Sequence, residues 1–341
     1  MSQIQRLKIS NFIRFAFVAV FIAGVLLSCP ISSRIQPMDR EIDTTNAHLE
    51  LLWMSNSSLW FQDADWNSNK IYAYTTKEKL LSFDSETGSI FWEKNLPSQE
   101  LGIRGLVAIN QSLFTITSTD IYRYASFNGE RVWATHIGDG HVPINIQNAE
   151  DSLNVYYGER VFNVSTESGN ISDVSSDAKI YWMGKKVLIL QSSLGMNSGM
   201  NGIERSTGKV LWENAESSFR IEEWFPVQSL GQSIFVLTDD LGICSFNFFT
   251  GEYIWCLPDK FISNLGVNTV NRIGYILDGD FLLLEIDLDT GQILAETQFL
   301  PRELPEDMRS RGFEYTISVT KDAVVVSFSD SVQTFGLRIA P

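Results

Sequence analysis

One short turn recurs six times along this chain at nearly constant spacing, and each copy is centred on a glycine. The intervals between successive glycines are 41, 40, 39, 43 and 40 residues. The six glycines are Gly88, Gly129, Gly169, Gly208, Gly251 and Gly291. A fixed period of about 40 residues indicates one repeated supersecondary unit, and it is the length of a four-stranded propeller blade. The spacing therefore predicts an all-β fold built of four-stranded antiparallel blades.

Each repeat is predicted to form a strand, a tight turn and a second strand. The residue before the glycine is a small polar turn former, such as Thr87 or Asn128, whose side chain can bond nearby backbone groups. The glycine supplies a positive φ at the end of a three-residue hairpin loop. The following strand is apolar on both faces, with Ile90 and Trp92 on one side and Phe91 on the other. We therefore expect neighbouring blades to cover both faces of each sheet.

A tryptophan stands four residues after the glycine in four of the six repeats. These residues are Trp92, Trp133, Trp212 and Trp255, while Asp173 and Ala295 occupy the position in the other two. A repeated tryptophan can serve as a ligand platform or as a packing block, because one ring buries a large apolar area. The repetition favours packing between blades, since stacked units reuse the same contact.

The two ends of the chain are predicted to share one blade. After Gly291, three runs read as strands: Glu314–Val319, Ala323–Ser327 and Val332–Leu337. A fourth strand is missing there, but Leu49–Trp53 is apolar and ends in tryptophan like the last strand of a blade. A blade shared by both ends removes free edges and closes the ring. We therefore expect seven blades over residues 49–340, with eight or six as the alternatives.

The first 28 residues are typical of an export signal or a membrane anchor. Arg6, Lys8 and Arg14 precede an apolar run of 13 residues, Phe15–Leu27, which is shorter than the ~20 residues of a typical span. The run ends in Leu-Leu-Ser-Cys, which resembles the lipobox of bacterial lipoproteins. That resemblance implies cleavage before Cys29 and attachment of lipid to its thiol. A retained single anchor and simple secretion are the alternatives, and all three place the propeller outside the cytoplasm.

Residues 29–48 are polar, contain Pro30 and Pro37, and are predicted to form a flexible tether.

The chain without residues 1–28 is strongly acidic. Removing these residues removes three basic residues and no acid, so 26 Lys+Arg and 41 Asp+Glu become 23 and 41, a net charge of −18. Such a surface repels polyphosphates, which excludes nucleic acid as a partner class. It is also repelled by anionic lipid headgroups, so attachment to the membrane is expected through the N-terminal lipid or anchor.

Cys244 and Cys256 flank the fifth turn at equal distance from Thr250. With a three-residue loop, Phe246 faces Ile254 and Cys244 faces Cys256. Directly opposed residues of antiparallel strands have Cα atoms about 4.5–5.5 Å apart, which a disulfide tolerates. An oxidising compartment permits the bond. The spacing therefore predicts a cross-strand disulfide, with two reduced core cysteines as the alternative because strand register is uncertain.

The repeated pattern, as in Leu81–Trp92, resembles the pyrroloquinoline-quinone-type propeller repeat of the WD40- and quinoprotein-like superfamily. The resemblance extends from about residue 49 to residue 340. This family contains quinone-dependent dehydrogenases and non-catalytic lipoprotein propellers of the cell envelope, so the resemblance implies the scaffold and leaves the function open. Its enzymes are generally longer, use eight blades and often carry two adjacent cysteines over the quinone. No two cysteines are adjacent here, and no acidic set that would hold calcium can be assigned, so we expect no cofactor.

Other candidate sites are more typical of structure than of chemistry. His136 and His141 bracket Asp139, but two histidines in a loop rarely complete a metal site. Asp278–Asp280 is typical of a hairpin turn, and Asp287–Asp289 belongs to the repeat; neither has the EF-hand spacing.

Two loops, Ser192–Gly202 and Pro301–Gly312, interrupt the regular spacing of the blades. They are either recognition elements or tolerated insertions.

No nucleophile elbow, phosphate loop or metalloprotease motif occurs. The sequence therefore predicts an exported, lipid-anchored propeller that binds other envelope proteins as a scaffold, and no catalytic set of residues is recognised in it. A quinoprotein dehydrogenase using pyrroloquinoline quinone and calcium, and an envelope glycan-binding propeller, are the alternatives.

Overall fold

The computed structural model describes most of the chain from Glu41 onward. The described residues are 41–43, 49–55, 59–65, 68–75, 77–109, 111–138, 145–149, 152–157, 160–175, 180–184, 186–191, 200–214, 227–238, 242–258, 261–300, 315–328 and 333–339. They form seven antiparallel sheets in a propeller arrangement, with no α-helix among them, so the predicted fold class is confirmed. No helix in this part of the chain has the length and apolar character needed to cross a membrane. The predicted signal segment and Cys29 lie outside the described residues.

The chain begins with two strands that belong to the last two blades, β1 (Glu41–Asp43) and β2 (Glu50–Ser55). Blades 1 to 3 then follow as four-stranded meanders. Blade 1 consists of β3 (Leu59–Asp65), β4 (Lys70–Thr75), β5 (Lys79–Asp84) and β6 (Ile90–Asn95). Blade 2 consists of β7 (Gly105–Ile109), β8 (Ser112–Ile116), β9 (Asp120–Ala125) and β10 (Arg131–His136). Blade 3 consists of β11 (Asn145–Ala149), β12 (Ser152–Tyr157), β13 (Arg160–Ser165) and β14 (Ile171–Ser175).

Blades 4 to 7 continue the same order. Blade 4 consists of β15 (Ile180–Met183), β16 (Val187–Gln191), β17 (Met200–Glu204) and β18 (Val210–Asn214). Blade 5 consists of β19 (Gln228–Leu230), β20 (Ser233–Thr238), β21 (Gly242–Asn247) and β22 (Tyr253–Leu257). Blade 6 contains β23 (Gly266–Asn268), β24 (Ile273–Leu277), β25 (Leu282–Asp287) and β26 (Ile293–Leu300). Blade 7 contains β27 (Tyr315–Val319), β28 (Ala323–Phe328) and β29 (Gln333–Arg338).

Blade 7 is completed by the other end of the chain, as predicted. β2 pairs antiparallel with β29, with Leu51 opposite Leu337 and Ser55 opposite Thr334. Arg338 also forms an ion pair with Glu50. The ring of blades therefore closes through backbone hydrogen bonds between the first and last parts of the propeller.

β1 adds a fifth strand to blade 6. Its three residues pair antiparallel with the end of β26, with Glu41 opposite Leu300 and Asp43 opposite Gln298. This strand falls inside residues 29–48, the segment predicted to be a tether. The structure therefore pairs part of that segment with the propeller.

The first strands of blades 6, 7, 1, 2 and 3 contact one another in turn, so the first strands face the ring axis, while the fourth strand of each blade lies at the rim. We call β6, β10, β14, β18, β22, β26 and β2 the outer strands. Some middle strands are buried throughout, such as β8 and β28, in which every residue is buried. The expectation that both faces of the strand after the turn are covered is wrong at its first residues, because Ile90 is 58% and Phe91 51% exposed. Outer strands lie beyond the region where neighbouring blades overlap, so their apolar side chains are only partly covered.

Candidate functional site

The six repeat turns have one common geometry. Their glycines all have positive φ, between 68° and 73°. In each turn the glycine N–H donates to the carbonyl four residues earlier, as from Gly88 to Asp84 at 2.9 Å and from Gly291 to Asp287 at 2.8 Å. Asp84 Oδ1 accepts the N–H groups of Glu86 and Thr87, at 3.0 and 2.8 Å. Asp287 Oδ1 accepts the N–H groups of Asp289 and Thr290 in the same way. The side chains of Asp84 and Asp287 therefore cap their own turns.

Four tryptophans link one blade to the turn of the next. Trp92 donates its Nε1–H to Ser126 O at 2.9 Å, Trp212 to Phe248 O at 2.9 Å and Trp255 to Leu288 O at 3.0 Å. Trp53 on β2 makes the same bond to Ser85 O at 2.8 Å. Each acceptor precedes the turn glycine by three residues. We call this contact a tryptophan dock, and it joins blades 7–1, 1–2, 4–5 and 5–6.

The dock explains why the turn residue has no side chain. A Cβ built on Gly251 would lie 2.5 Å from a ring carbon of Trp212, and one on Gly88 would lie 2.7 Å from a ring carbon of Trp53. Real Cβ atoms do not approach other atoms so closely, so the indole covers the turn only because a glycine is there. The glycine thus serves two needs, the positive φ and the close approach of the ring. Trp53, Trp92, Trp212 and Trp255 thus each lie between one blade and the turn of the next.

A partial dock joins blades 2 and 3. A Cβ on Gly169 would lie 3.2 Å from the ring of Trp133, so the ring covers the turn. The buried Trp133 Nε1 has no hydrogen-bond partner among the described residues. Instead, Thr135 Oγ1 donates to Gly169 O at 3.0 Å.

The interface between blades 3 and 4 has no dock. No described atom lies within 4 Å of a Cβ built on Gly208, because Asp173 occupies the tryptophan position and forms an ion pair with Arg160 instead. The link here is polar: the buried Asn154 Nδ2 donates to Met183 O at 2.9 Å, and Met183 N–H donates to the Tyr156 hydroxyl at 2.9 Å. Burial raises the pKa of Tyr156 well above its usual range, so this hydroxyl stays protonated.

The interface between blades 6 and 7 also lacks a dock, because its target is missing. The fourth strand of blade 7 comes from the other end of the chain, so blade 7 has no turn between its third and fourth strands. A tryptophan in place of Ala295 would have no turn to cover. Asn264 links the blades instead: its Nδ2 donates to Ile317 O and its Oδ1 accepts Ile317 N–H, both at 2.8 Å.

Cys244 and Cys256 face each other across β21 and β22 and are joined by a disulfide, with their Cα atoms 4.1 Å apart. The pairing nearer the turn differs from the prediction. Phe246 faces Tyr253 rather than Ile254, since a bulge shifts the register by one residue between Ser245 and Phe246. The same shift occurs beside other repeat turns, as between Ser82 and Phe83.

The remaining predicted sites are only partly described. His136 Nδ1 lies 3.2 Å from Asp120 Oδ1 on the surface, while Asp139 and His141 lie outside the described residues. Asp278 Oδ1 accepts N–H groups of Asp280 and Leu282, which fits the predicted hairpin turn. The described residues contain no group of three or more His, Cys, Asp or Glu that could hold a metal ion. Most of the loops Ser192–Gly202 and Pro301–Gly312 fall outside the described part of the chain.

A buried carboxylate that sequence reasoning missed joins blade 2 to the connection before it. Glu100 is 2% exposed and lies in a single 3-10 turn, Ser98–Glu100. Tyr124 donates its hydroxyl to Glu100 Oε2 at 2.7 Å, and Arg131 donates to Oε1. Burial and this hydrogen bond raise the pKa of Tyr124 well above its usual range. Since both oxygens of Glu100 are engaged, the cluster is suited to holding the connection in place rather than to proton transfer.

Exposed apolar side chains recur along the outer strands and form what we call the apolar rim. Its members are Leu51, Met54, Ile90, Phe91, Val132, Ile171, Val210, Leu211, Ile254, Ile293 and Leu294. They are distributed over all seven blades, and most of them lie at or near the start of an outer strand. Exposed apolar side chains can contribute to contacts with other macromolecules where they lie together in a patch.

Comparison with known proteins gives one family match and several similar solved structures. Residues 45–193 match the PQQ-type family model described as outer membrane protein assembly factor BamB. Among solved structures, the chain is similar to BamB from Moraxella catarrhalis, with 17% identity, 81% of this chain and 83% of that chain covered, and a TM-score of 0.48. It is also similar to the Pan2 WD40 domain from Neurospora crassa, with 9% identity, coverage of 90% and 98%, and a TM-score of 0.61. None of the curated proteins matches this chain. The family match confirms the pyrroloquinoline-quinone-type repeat over residues 45–193. The similarity to the Pan2 WD40 domain confirms the propeller fold.

Proposed function

We propose that this chain is an exported, lipid-anchored propeller that binds other envelope proteins as a scaffold during assembly of outer membrane proteins. The observation that carries the proposal is the match of residues 45–193 to the family model of an outer membrane protein assembly factor. The rim supports it physically, because a rigid ring with exposed apolar groups on every blade offers a broad surface for protein partners.

Three carboxylates that could suggest catalysis are engaged within the fold. Asp84 and Asp287 are engaged by backbone N–H groups of their own turns, and Glu100 by Tyr124 and Arg131. They therefore serve the fold. We expect no cofactor, and titration of the protein with pyrroloquinoline quinone and calcium should leave its melting temperature and the quinone spectrum unchanged.

Attachment to the membrane is proposed through Cys29. Metabolic labelling with an alkyne fatty acid should label the wild-type chain and not Cys29→Ser. Equal labelling of both would refute lipidation at this residue, while release of the unlabelled variant from membranes would separate a lipid anchor from a retained span.

The scaffold itself is tested by photo-crosslinking in living cells. A photo-crosslinking amino acid is placed at one rim position of each blade in turn. The positions are Phe91, Val132, Ile171, Leu211, Ile254, Leu294 and Leu51. Cross-links to outer membrane proteins or their assembly factors are expected from at least one of them, with the fully buried Val325 as the position that gives none. Absence of such partners at all seven positions would overturn the proposal.

A further inference from the structure

One blade of this protein already carries an added strand at its rim. β1 pairs with the outer strand β26 and extends blade 6 to five strands. The outer edge of a blade is therefore able to accept an extended segment in antiparallel pairing. This is the geometry by which peptides add to exposed sheet edges in recognition.

The outer strand of blade 5 differs from the others in charge. β22 has the sequence Tyr-Ile-Trp-Cys-Leu and contains no charged residue. Each of the other outer strands contains at least one Asp, Glu, Lys or Arg, such as Glu93 in β6, Asp173 in β14 and Glu213 in β18. Charges on edge strands discourage pairing with another chain. β22 lacks this protection, and Ile254 and Cys256 are exposed along it.

The backbone of β22 presents hydrogen-bonding groups to that edge. Opposed residues of an antiparallel pair lie about 4.5 Å apart when they are not hydrogen-bonded to each other and about 5.5 Å apart when they are. The Cα atoms of Cys244 and Cys256 are 4.1 Å apart, so this is a non-hydrogen-bonded pair. In such a pair the N–H and C=O groups of Cys256 point away from β21. They point to the outer side of β22, where no strand pairs among the described residues.

The disulfide holds this edge in place. It ties β22 to the fully buried Cys244 of β21, and Trp255 docks the same strand onto blade 6. A fixed edge loses little conformational freedom when it binds, which favours affinity. Its surroundings are acidic: Glu252 precedes the strand, and Glu213 and Glu296 are exposed on the two neighbouring outer strands.

We propose that the outer edge of β22 binds an extended segment of another protein by strand addition, and that this segment is apolar at its centre and flanked by basic residues. This inference rests on the proposed scaffold function and gives it a site. Basic flanks complement the exposed glutamates, whereas a second copy of this chain, with a net charge of −15, is repelled.

The probe is a fluorescent peptide with a Val-Thr-Val-Thr-Val core and two lysines at each end, titrated into the full-length protein and followed by anisotropy. Ile254→Lys places a gatekeeper charge on the edge and is expected to weaken binding tenfold or more. Leu211→Lys makes the same change at the same repeat position of β18, whose edge already carries Glu213, and is expected to leave binding within twofold of wild type. Melting temperatures of the two variants check that both remain folded.

A second probe has every peptide N–H of the Val-Thr core methylated, so it keeps the side chains and loses the backbone donors. Binding of the wild-type protein to this probe should fall to background. Equal binding of both probes, equal weakening by the two lysine variants, or no binding of the first probe would overturn the strand-addition site. A wild-type dimer that Ile254→Lys converts to monomer would assign the edge to a second copy and also overturn it. If rim cross-links to envelope partners persist in any of these cases, the scaffold function stands without this site.

Discussion

The interface between blades 4 and 5 and the interface between blades 3 and 4 join similar sheets by different means. At the first, Trp212 covers Gly251 and donates to Phe248 O, and the ring centroid of Phe248 lies 5.2 Å from that of Trp182. At the second, Gly208 forms the same turn with nothing described above it, and hydrogen bonds from buried polar side chains hold the blades. The turn is thus a property of each blade, whereas the dock needs a tryptophan from the blade before. Four predictions test this difference, from the largest expected effect to the smallest.

Of the four changes, Trp212→Ala should lower the free energy of unfolding the most. It removes a buried aromatic ring that is 8% exposed and leaves a cavity over Gly251, so we expect a loss of about 3–5 kcal/mol of unfolding free energy. Urea unfolding and calorimetry measure it. A loss below about 1 kcal/mol would mean that the dock contributes no more than the polar interface does.

Removal of the disulfide should cause the second-largest loss of unfolding free energy. Cys256→Ser opens a closed loop with a sequence separation of 12 residues, and we expect a loss of about 2–3 kcal/mol. The comparison is the wild-type protein under strong reductant, which should melt at the temperature of the variant. If the reductant leaves the wild type unchanged while the variant is destabilised, then the serine itself, and not the lost bond, is responsible.

Two glycine substitutions separate the turn from the dock. Gly208→Ala and Gly251→Ala both place a Cβ at a φ of +71°, which costs about 1–2 kcal/mol for a non-glycine residue. Only Gly251→Ala also displaces the indole of Trp212, so it should cost about 1–3 kcal/mol more. Equal melting temperatures for the two variants would contradict the role of close approach.

Asp173→Ala should have the smallest effect. The carboxylate forms a surface ion pair with Arg160, with both side chains about half exposed, and such pairs contribute roughly 0–1 kcal/mol. Raising the salt concentration should reduce the difference from wild type further. A loss comparable with that of Trp212→Ala would show that Asp173 supports the interface between blades 3 and 4 in the place of a tryptophan.

Much of the ring could be predicted from the sequence because the repeat is local. The turn residues, the glycine and the following apolar strand lie within about ten residues, and their spacing of about 40 residues fixes four strands per blade. The last strand of blade 7 was predictable for the same reason, since Leu49–Trp53 has the pattern of an outer strand. Trp53 could have been recognised as a fifth repeat tryptophan from that pattern.

The rest depends on contacts between distant residues, which carry no local signal. Nothing near Asn154 or Tyr156 indicates that their side chains bond the backbone of Met183. The exposure of Ile90 and Phe91 follows from how far neighbouring blades overlap, and apolar character alone does not reveal it. The pairing of β1 with β26 was missed because a run of only three residues, Glu41–Asp43, is too short to carry a strand signal.

The pairing of β2 with β29 imposes an order of events on the newly made chain. Glu50 and Arg338 form an ion pair although 288 residues separate them in sequence. During synthesis, β2 emerges long before β29 and has no partner strand until β29 has also been made. Blade 7 can form only when the chain has been made as far as β29. The contact of Trp53 with the first repeat turn depends on blade 7 and therefore also forms late. A chain cut short before Gln333 therefore leaves exposed strand edges at both of its ends, where proteases and chaperones can distinguish it from the finished ring.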